Sequence, residues 1–143
     1  MSTNDQMRAY NQRVIAEFRA RGGVVTEPEF PILLLTTLGA RSGRPTTTPV
    51  AYGIDGESVF VVASKAGAPG NPAWFTNLQA NPSVTVELGP ASYAAQAVVT
   101  QPAERDRLYA LIAAQIPRFR EYEQLTDRRF PVIVLQGVPV PPR

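Results

Sequence analysis

The sequence predicts a mainly β fold with helices (α+β): about six short, antiparallel strands closed into a small barrel that helical insertions split. Three observations lead there. Apolar, β-branched runs recur, as in "FPILLLTTL" (30–38), "SVFVVAS" (58–64) and "FPVIVLQG" (130–137). "DGE" between two such runs is a strong hairpin signal, because Asp-Gly tolerates positive φ. A series of mostly antiparallel strands must hide its edges, and closure into a barrel does so. The alternating βα order of a doubly wound sheet is absent, as is any GxGxxG or GxxxxGK[ST] phosphate loop.

The elements follow in order. Residues 4–20 show helical spacing through Met7, Tyr10, Val14, Ile15 and Phe18, with Asn4 as N-cap and "RGG" as the stop. This narrow stripe suits docking on the body, covering a site, or weak contact with a membrane surface. Strands are expected at 30–38, 46–54 and 58–64, with "GARSGRPT" (39–46) joining the first two. "NPAWFTNLQAN" (71–81) reads as a helix with Asn71 as N-cap and Pro72 at the first helical position. "SVTVELG" (83–89) alternates strictly and can pair with "SYAAQAVVT" (92–100) across "GPA". A helix over 101–116 carries Leu108, Leu111, Ile112 and Ile116 on one stripe, and 117–127 forms a shorter helical piece. The last buried strand is 130–137, and "VPVPPR" is a fraying tail. Residues 1–24 thus form a helix and connection ahead of a barrel at 25–143, within one domain.

Composition excludes several chemistries. The chain has 143 residues, no cysteine and no histidine. The commonest general base and the commonest metal ligand are therefore both missing, so a Ser-His-Asp or Cys-His enzyme and a zinc site are not expected. A net charge of +2 on scattered carriers gives no case for nucleic acid. No run approaches the roughly 20 apolar residues of a membrane span, and the N-terminus lacks the order of a signal peptide, so a cytoplasmic protein is expected. Difficult chemistry here must come from a bound cofactor acting on a small molecule.

The residues that can carry it cluster in "SKAGAPGNPAWF" (64–75), which holds the only lysine and the only tryptophan of the chain. Ser64 and Lys65 precede a Gly/Pro turn whose amides can point at an anion, and Asn71-Pro72 then opens a helix whose positive end favours negative charge. The alternative is a strand-end lysine whose stem reaches water. Arg41 and Arg44 in "GARSGRP" either join such a site or cap a solvated hairpin tip. Trp74 and Phe75 fit core packing as well as a cofactor contact. In the late segment "FREYEQLTDRR", Phe119 and Tyr122 either wall a flat substrate or pack the helix on the barrel.

Three stretches, "LLLTTLGARSGRPTTTPVAYG", "VFVVASKAGAPGNPAWFTNLQANPSVTVEL" and "IPRFREYEQLTDRRFPVIVL", resemble the deazaflavin-dependent nitroreductase family in consistent order over roughly residues 30–136. These reductases use the deazaflavin coenzyme F420 on a split β-barrel related to flavin-mononucleotide-binding (FMN) oxidases. The resemblance implies that Arg41, Ser64 and Lys65, with Arg44 in support, hold the coenzyme's phosphate and acidic tail. It implies that Pro49, Val50, Ala51, Val62 and Ala63 line the ring, and that Asn71, Pro72, Ala73 and Trp74 close over it. Trp74, Phe119 and Tyr122 would then face the substrate, and the donor to the developing anion is the Tyr122 hydroxyl, the backbone amides near residues 64–67, or solvent. The chain departs from the family at Ala40 and Thr46, where basic residues are common, and it holds Ile116 and Phe119 in the late segment, where the best-known nitroreductase of the family has several tyrosines.

The reaction so implied is hydride transfer from reduced F420 to an electron-poor acceptor: a quinone, an activated C=C bond or a nitro compound. An FMN-dependent oxidoreductase on the same barrel and a non-catalytic deazaflavin carrier are the alternatives.

Overall fold

The computed structural model describes residues 3–141, with side chains from residue 5. Asn4 lies within the first helix, which already includes Thr3, so it is not that helix's N-cap; the last two residues of the tail lie outside the described residues. Helix α1 (Thr3–Ala20) precedes β1 (Ile32–Leu38), β2 (Pro45–Asp55) and β3 (Ser58–Val62). A tight turn at Lys65–Gly67 leads to α2 (Ala73–Ala80), β4 (Ser83–Leu88) and β5 (Ala91–Val99). Helices α3 (Pro102–Gln115) and α4 (Arg118–Glu123) come before β6 (Val132–Gln136). The strands close in the order β1-β2-β3-β6-β5-β4, each pair antiparallel.

The continuous apolar runs reflect strands covered on both faces. Leu33 and Leu35 of β1 point into the barrel with Val50, Val59 and Val61, whereas Ile32 and Leu34 point out against Val14 and Phe18 of α1. Likewise Val59 and Val61 of β3 face inward, while Phe60 and Val62 pack outward beneath Leu108, Ile112 and Phe119. Strand β4 has a single covered face, so Val84, Val86 and Leu88 are buried and alternate with less buried residues. Pleat alternation thus sorts one sequence pattern into three cores.

The helices bring the corrections. The structure starts α2 at Ala73 with Pro72 as the residue before it, so Asn71 is not the N-cap. The Pro72 carbonyl accepts the Phe75 N–H at 3.0 Å, and the Asn71 side chain is engaged elsewhere. Trp74, Phe75 and Leu78 of α2 join the barrel's inner core. In α3 the buried stripe is Leu108, Tyr109, Ile112, Ala113 and Ile116, and Leu111 is 37% exposed. Tyr109 takes the inner position because its ring meets Phe119 edge-on at 6.1 Å and its hydroxyl donates to the Phe119 carbonyl at 3.1 Å. On α1, Val14 and Phe18 are buried and Met7 is 52% exposed. Among the described residues no helix is long and apolar enough to cross a membrane.

Candidate functional site

The barrel opens where β2 outruns its neighbour. Residues 52–55 of β2 pair with β3, but residues 45–51 pair with β1 alone. Past the last rung, Tyr52 opposite Val61, the two chains part like a fork. The Ala63 N–H turns to the Pro131 carbonyl at 2.9 Å, so the chain after β3 follows the β6 side. One arm of the fork is thus an open backbone edge, and the other runs into the Lys65 turn.

That turn is strained. Lys65 (φ 47°) and Ala66 (φ 53°) are the two non-glycine residues with positive φ among the described residues, and Gly67 follows at φ 81°. Left-handed side-chain-bearing residues cost on the order of 1–3 kcal/mol each and cluster at functional sites. The turn closes through Gly67 N–H to the Ser64 carbonyl and Ala68 N–H to the Lys65 carbonyl, both at 3.0 Å. A Cβ on Gly67 would stand 2.7 Å from the Tyr122 carbonyl, so glycine is required for this approach to α4.

Arg128 braces the turn from the far end of the chain. Its Nε donates to the Ala68 carbonyl at 3.1 Å, and its Nη2 donates to the Ser64 carbonyl at 2.7 Å. Its Nη1 donates to the Ala63 carbonyl at 3.0 Å and to Asn71 Oδ1 at 2.6 Å. The guanidinium also lies over the Phe130 ring, 4.9 Å from its centroid. All these acceptors are neutral, and burial lowers the pKa of Arg128 from its ordinary value. An arginine nevertheless stays charged at working pH, so the group remains a cation. Sequence reasoning passed over Arg128 as one of two arginines ahead of the last strand, and only spacing across the fold could have singled it out.

The 39–44 connection is a second cationic turn. It closes on itself through Gly39 N–H to the Arg44 carbonyl at 2.8 Å and Gly43 N–H to the Gly39 carbonyl at 2.9 Å. The buried side chain of Asn77 on α2 ties it down, accepting the Ala40 N–H at 2.9 Å and donating to Thr37 Oγ1 at 3.1 Å. Arg41 and Arg44 are therefore exposed on a fixed turn beside α2.

The other expected site residues fall into two groups. Lys65, Asn71 and Ala73 are exposed, and Pro49, Ala51 and Tyr122 are half-buried. Val50 and Ala63 lie in the barrel core, Val62 lies in the outer core, and Ser64 and Pro72 are buried; the Ala63 backbone is already spent on Pro131 and Arg128, and the Pro72 carbonyl on Phe75. Trp74 (6% exposed) and Phe119 (4% exposed) are core residues here, and of the three expected substrate-facing side chains Tyr122 is the most exposed. The Phe119 ring meets Tyr109 and Tyr122 edge-on, which accounts for its burial. Burial raises the Tyr52 phenol above its ordinary pKa, and burial, then the Glu123 carboxylate, does the same to Tyr109.

The sequence profile described as F420H(2)-dependent quinone reductase matches residues 8–137 of this chain. The chain belongs to that family. An F420H(2)-dependent quinone reductase of Mycobacterium tuberculosis is 40% identical over 108 residues, covering 73% of this chain and 72% of the relative. A solved F420-H2 dependent reductase superposes with a TM-score of 0.68 at 34% identity, over 80% of this chain and all of its own. A putative pyridoxamine 5'-phosphate oxidase of Listeria innocua shares the fold alone, with a TM-score of 0.50 at 15% identity over 91% of this chain and 93% of its own. The family member described here is thus an oxidoreductase that depends on coenzyme F420, which replaces FMN as the reading of the cofactor.

Proposed function

We propose that this family member reduces a quinone with F420H2 held in the fork between residues 45–51 and the Lys65 turn. The observation that carries this placement is the strained Lys65–Gly67 turn on one arm, opposite the open edge of β2 on the other. The residues present fit a coenzyme with a flat ring and an anionic tail. Exposed Lys65, Arg41 and Arg44 offer charge to the tail, and the unpaired edge of β2 offers the Pro49 carbonyl and the Ala51 backbone to the ring, since the Val50 backbone faces β1.

When bound, reduced F420 supplies a hydride that, with one proton, converts a quinone to its hydroquinone. The chain has to bind, align and exclude water. Lys65 pairs with the tail, and the amides at the turn donate to the same charge. Tyr122, half-buried and packed edge-on against Phe119 at 5.9 Å, borders the turn and can present its hydroxyl to the acceptor. Nitro compounds and activated C=C bonds are the wider acceptor class that the same chemistry allows.

Titration with oxidised F420 tests the placement. Lys65→Ala should weaken binding by about 1.5–3 kcal/mol, the worth of a charge-assisted hydrogen bond, with the melting temperature unchanged. Unchanged affinity in the folded mutant would remove Lys65 from the site. Consumption of F420H2 with menadione then tests the acceptor class, and an enzyme that binds the coenzyme without turnover would be a carrier.

A further inference from the structure

We propose that Arg128 is a positioning residue that presets the coenzyme turn, aiming the backbone amides of Ser64 and Lys65 outward. The inference rests on the placement of F420 at that turn. Its physical basis is the planar trans peptide, in which the C=O and the next N–H point in opposite directions. Arg128 draws the carbonyls of Ala63 and Ser64 onto one guanidinium, at 3.0 and 2.7 Å. The N–H groups of Ser64 and Lys65 belong to those same two peptide planes, so they point away from Arg128. The turn's own hydrogen bonds use the N–H groups of Gly67 and Ala68 and leave this pair to a ligand.

The third carbonyl that Arg128 takes, from Ala68, and the Asn71 side chain close the other end of the loop. A planar fork of donors suits this work, because several carbonyls converging on one point need several N–H groups in fixed directions. A lysine has the charge without the fork. The partners lie 57 to 65 residues away in sequence, so the brace forms only once β6 has closed the barrel. The left-handed conformations of Lys65 and Ala66 persist because the surroundings over-determine them, and Arg128 supplies much of that determination.

Arg128→Lys tests this with two readouts. In the coenzyme-free protein, amide hydrogen exchange at Gly67 and Ala68 should quicken by about tenfold or more, the factor set by losing a hydrogen bond to a charged group, while β1 and β6 keep their protection. Binding of oxidised F420 should weaken by about 10- to 100-fold, and the KM for menadione should stay near its original value. Unchanged exchange and unchanged affinity would overturn the inference. So would a uniform loss of protection across the barrel, which is the mark of a general stabiliser. If Arg128→Lys does not fold, Asn71→Ala decides: local quickening and weaker binding support the brace, and neither change refutes it. Should F420 affinity be unchanged in both Lys65→Ala and Arg128→Lys while Arg128→Lys quickens the turn's exchange, the coenzyme placement fails and the brace stands.

Discussion

The two cationic turns at the open end of the barrel are built by different means. The 39–44 turn satisfies itself locally, with Gly39, Ser42, Gly43 and Arg44 bonded among themselves and a single outside brace at Ala40. The 63–71 loop has unfavourable local geometry at Lys65 and Ala66 and is held by Arg128 from across the fold. A self-bonded turn keeps its shape whatever surrounds it, whereas a strained one keeps its shape only while the rest of the barrel is assembled. Strain of that kind fixes backbone amides in advance of a ligand, so less ordering remains to oppose binding. Under the proposed coenzyme placement, the Lys65 turn serves as a preformed receptor and the arginine turn supplies supporting charge.

Helix α2 serves both turns, and damage to it should break the comparison outright. The Trp74 indole is buried with Phe75 and Leu78 in the inner core, and Asn77 on the same helix grips the 39–44 turn. Trp74→Ala should therefore cost about 3–5 kcal/mol of stability through the cavity it leaves. Thermal melting checks this, and because the chain has one tryptophan its native emission reports the same environment. A mutant that melts with the wild type but loses turnover would put the indole in the site after all.

Asn77→Ala should have an intermediate effect and separate the turns. It strips the Ala40 N–H and Thr37 Oγ1 of their buried partner, a loss of about 1–3 kcal/mol. Exchange at Ala40 should quicken while Gly67 and Ala68 keep their protection, and F420 affinity should fall less than in Lys65→Ala. Equal loosening of both turns would mean that α2 couples them and that their independence is false.

The same contrast explains what the sequence could tell. Elements whose cause is local were legible: the β1 run, the Asp55-Gly56 hairpin with Gly56 at φ 59°, and the alternation of β4. Ser64, Lys65 and the glycine turn were legible as a cluster because they adjoin. The side of α2 that Trp74 takes was not, since an aromatic at a helix start fits the core and the site equally in one dimension. Asn71 looked like a cap because Asn before Pro usually reads so, but its side chain answers to Arg128, 57 residues on. Leu111 and Tyr109 exchanged places for a related reason: the Phe119 ring and carbonyl reward Tyr109 and lie on another helix.

pH should have the smallest effect, and it should leave both turns as they are. Hydrogen bonds hold four carboxylates below their usual range: Thr26 at Glu17, Arg107 at Asp55 and Glu104, and Arg129 at Asp106. A lowered folded value gives stability that is present above the unfolded pKa of about 4 and is lost as pH falls through the folded one. Burial moves Tyr52 and Tyr109 upward, so their contribution is present below about pH 10 and is lost as pH rises through the folded values. Both directions lead away from neutrality, and the chain has no histidine to titrate there. Urea midpoints and single-turnover hydride transfer should therefore stay level between about pH 6 and 8. A bell-shaped rate profile over level stability would reveal a displaced proton donor at the fork, with Tyr122 the first side chain to replace by Phe. Its loss of the bell would make that tyrosine a participant, and a level profile leaves the protein to bind and align.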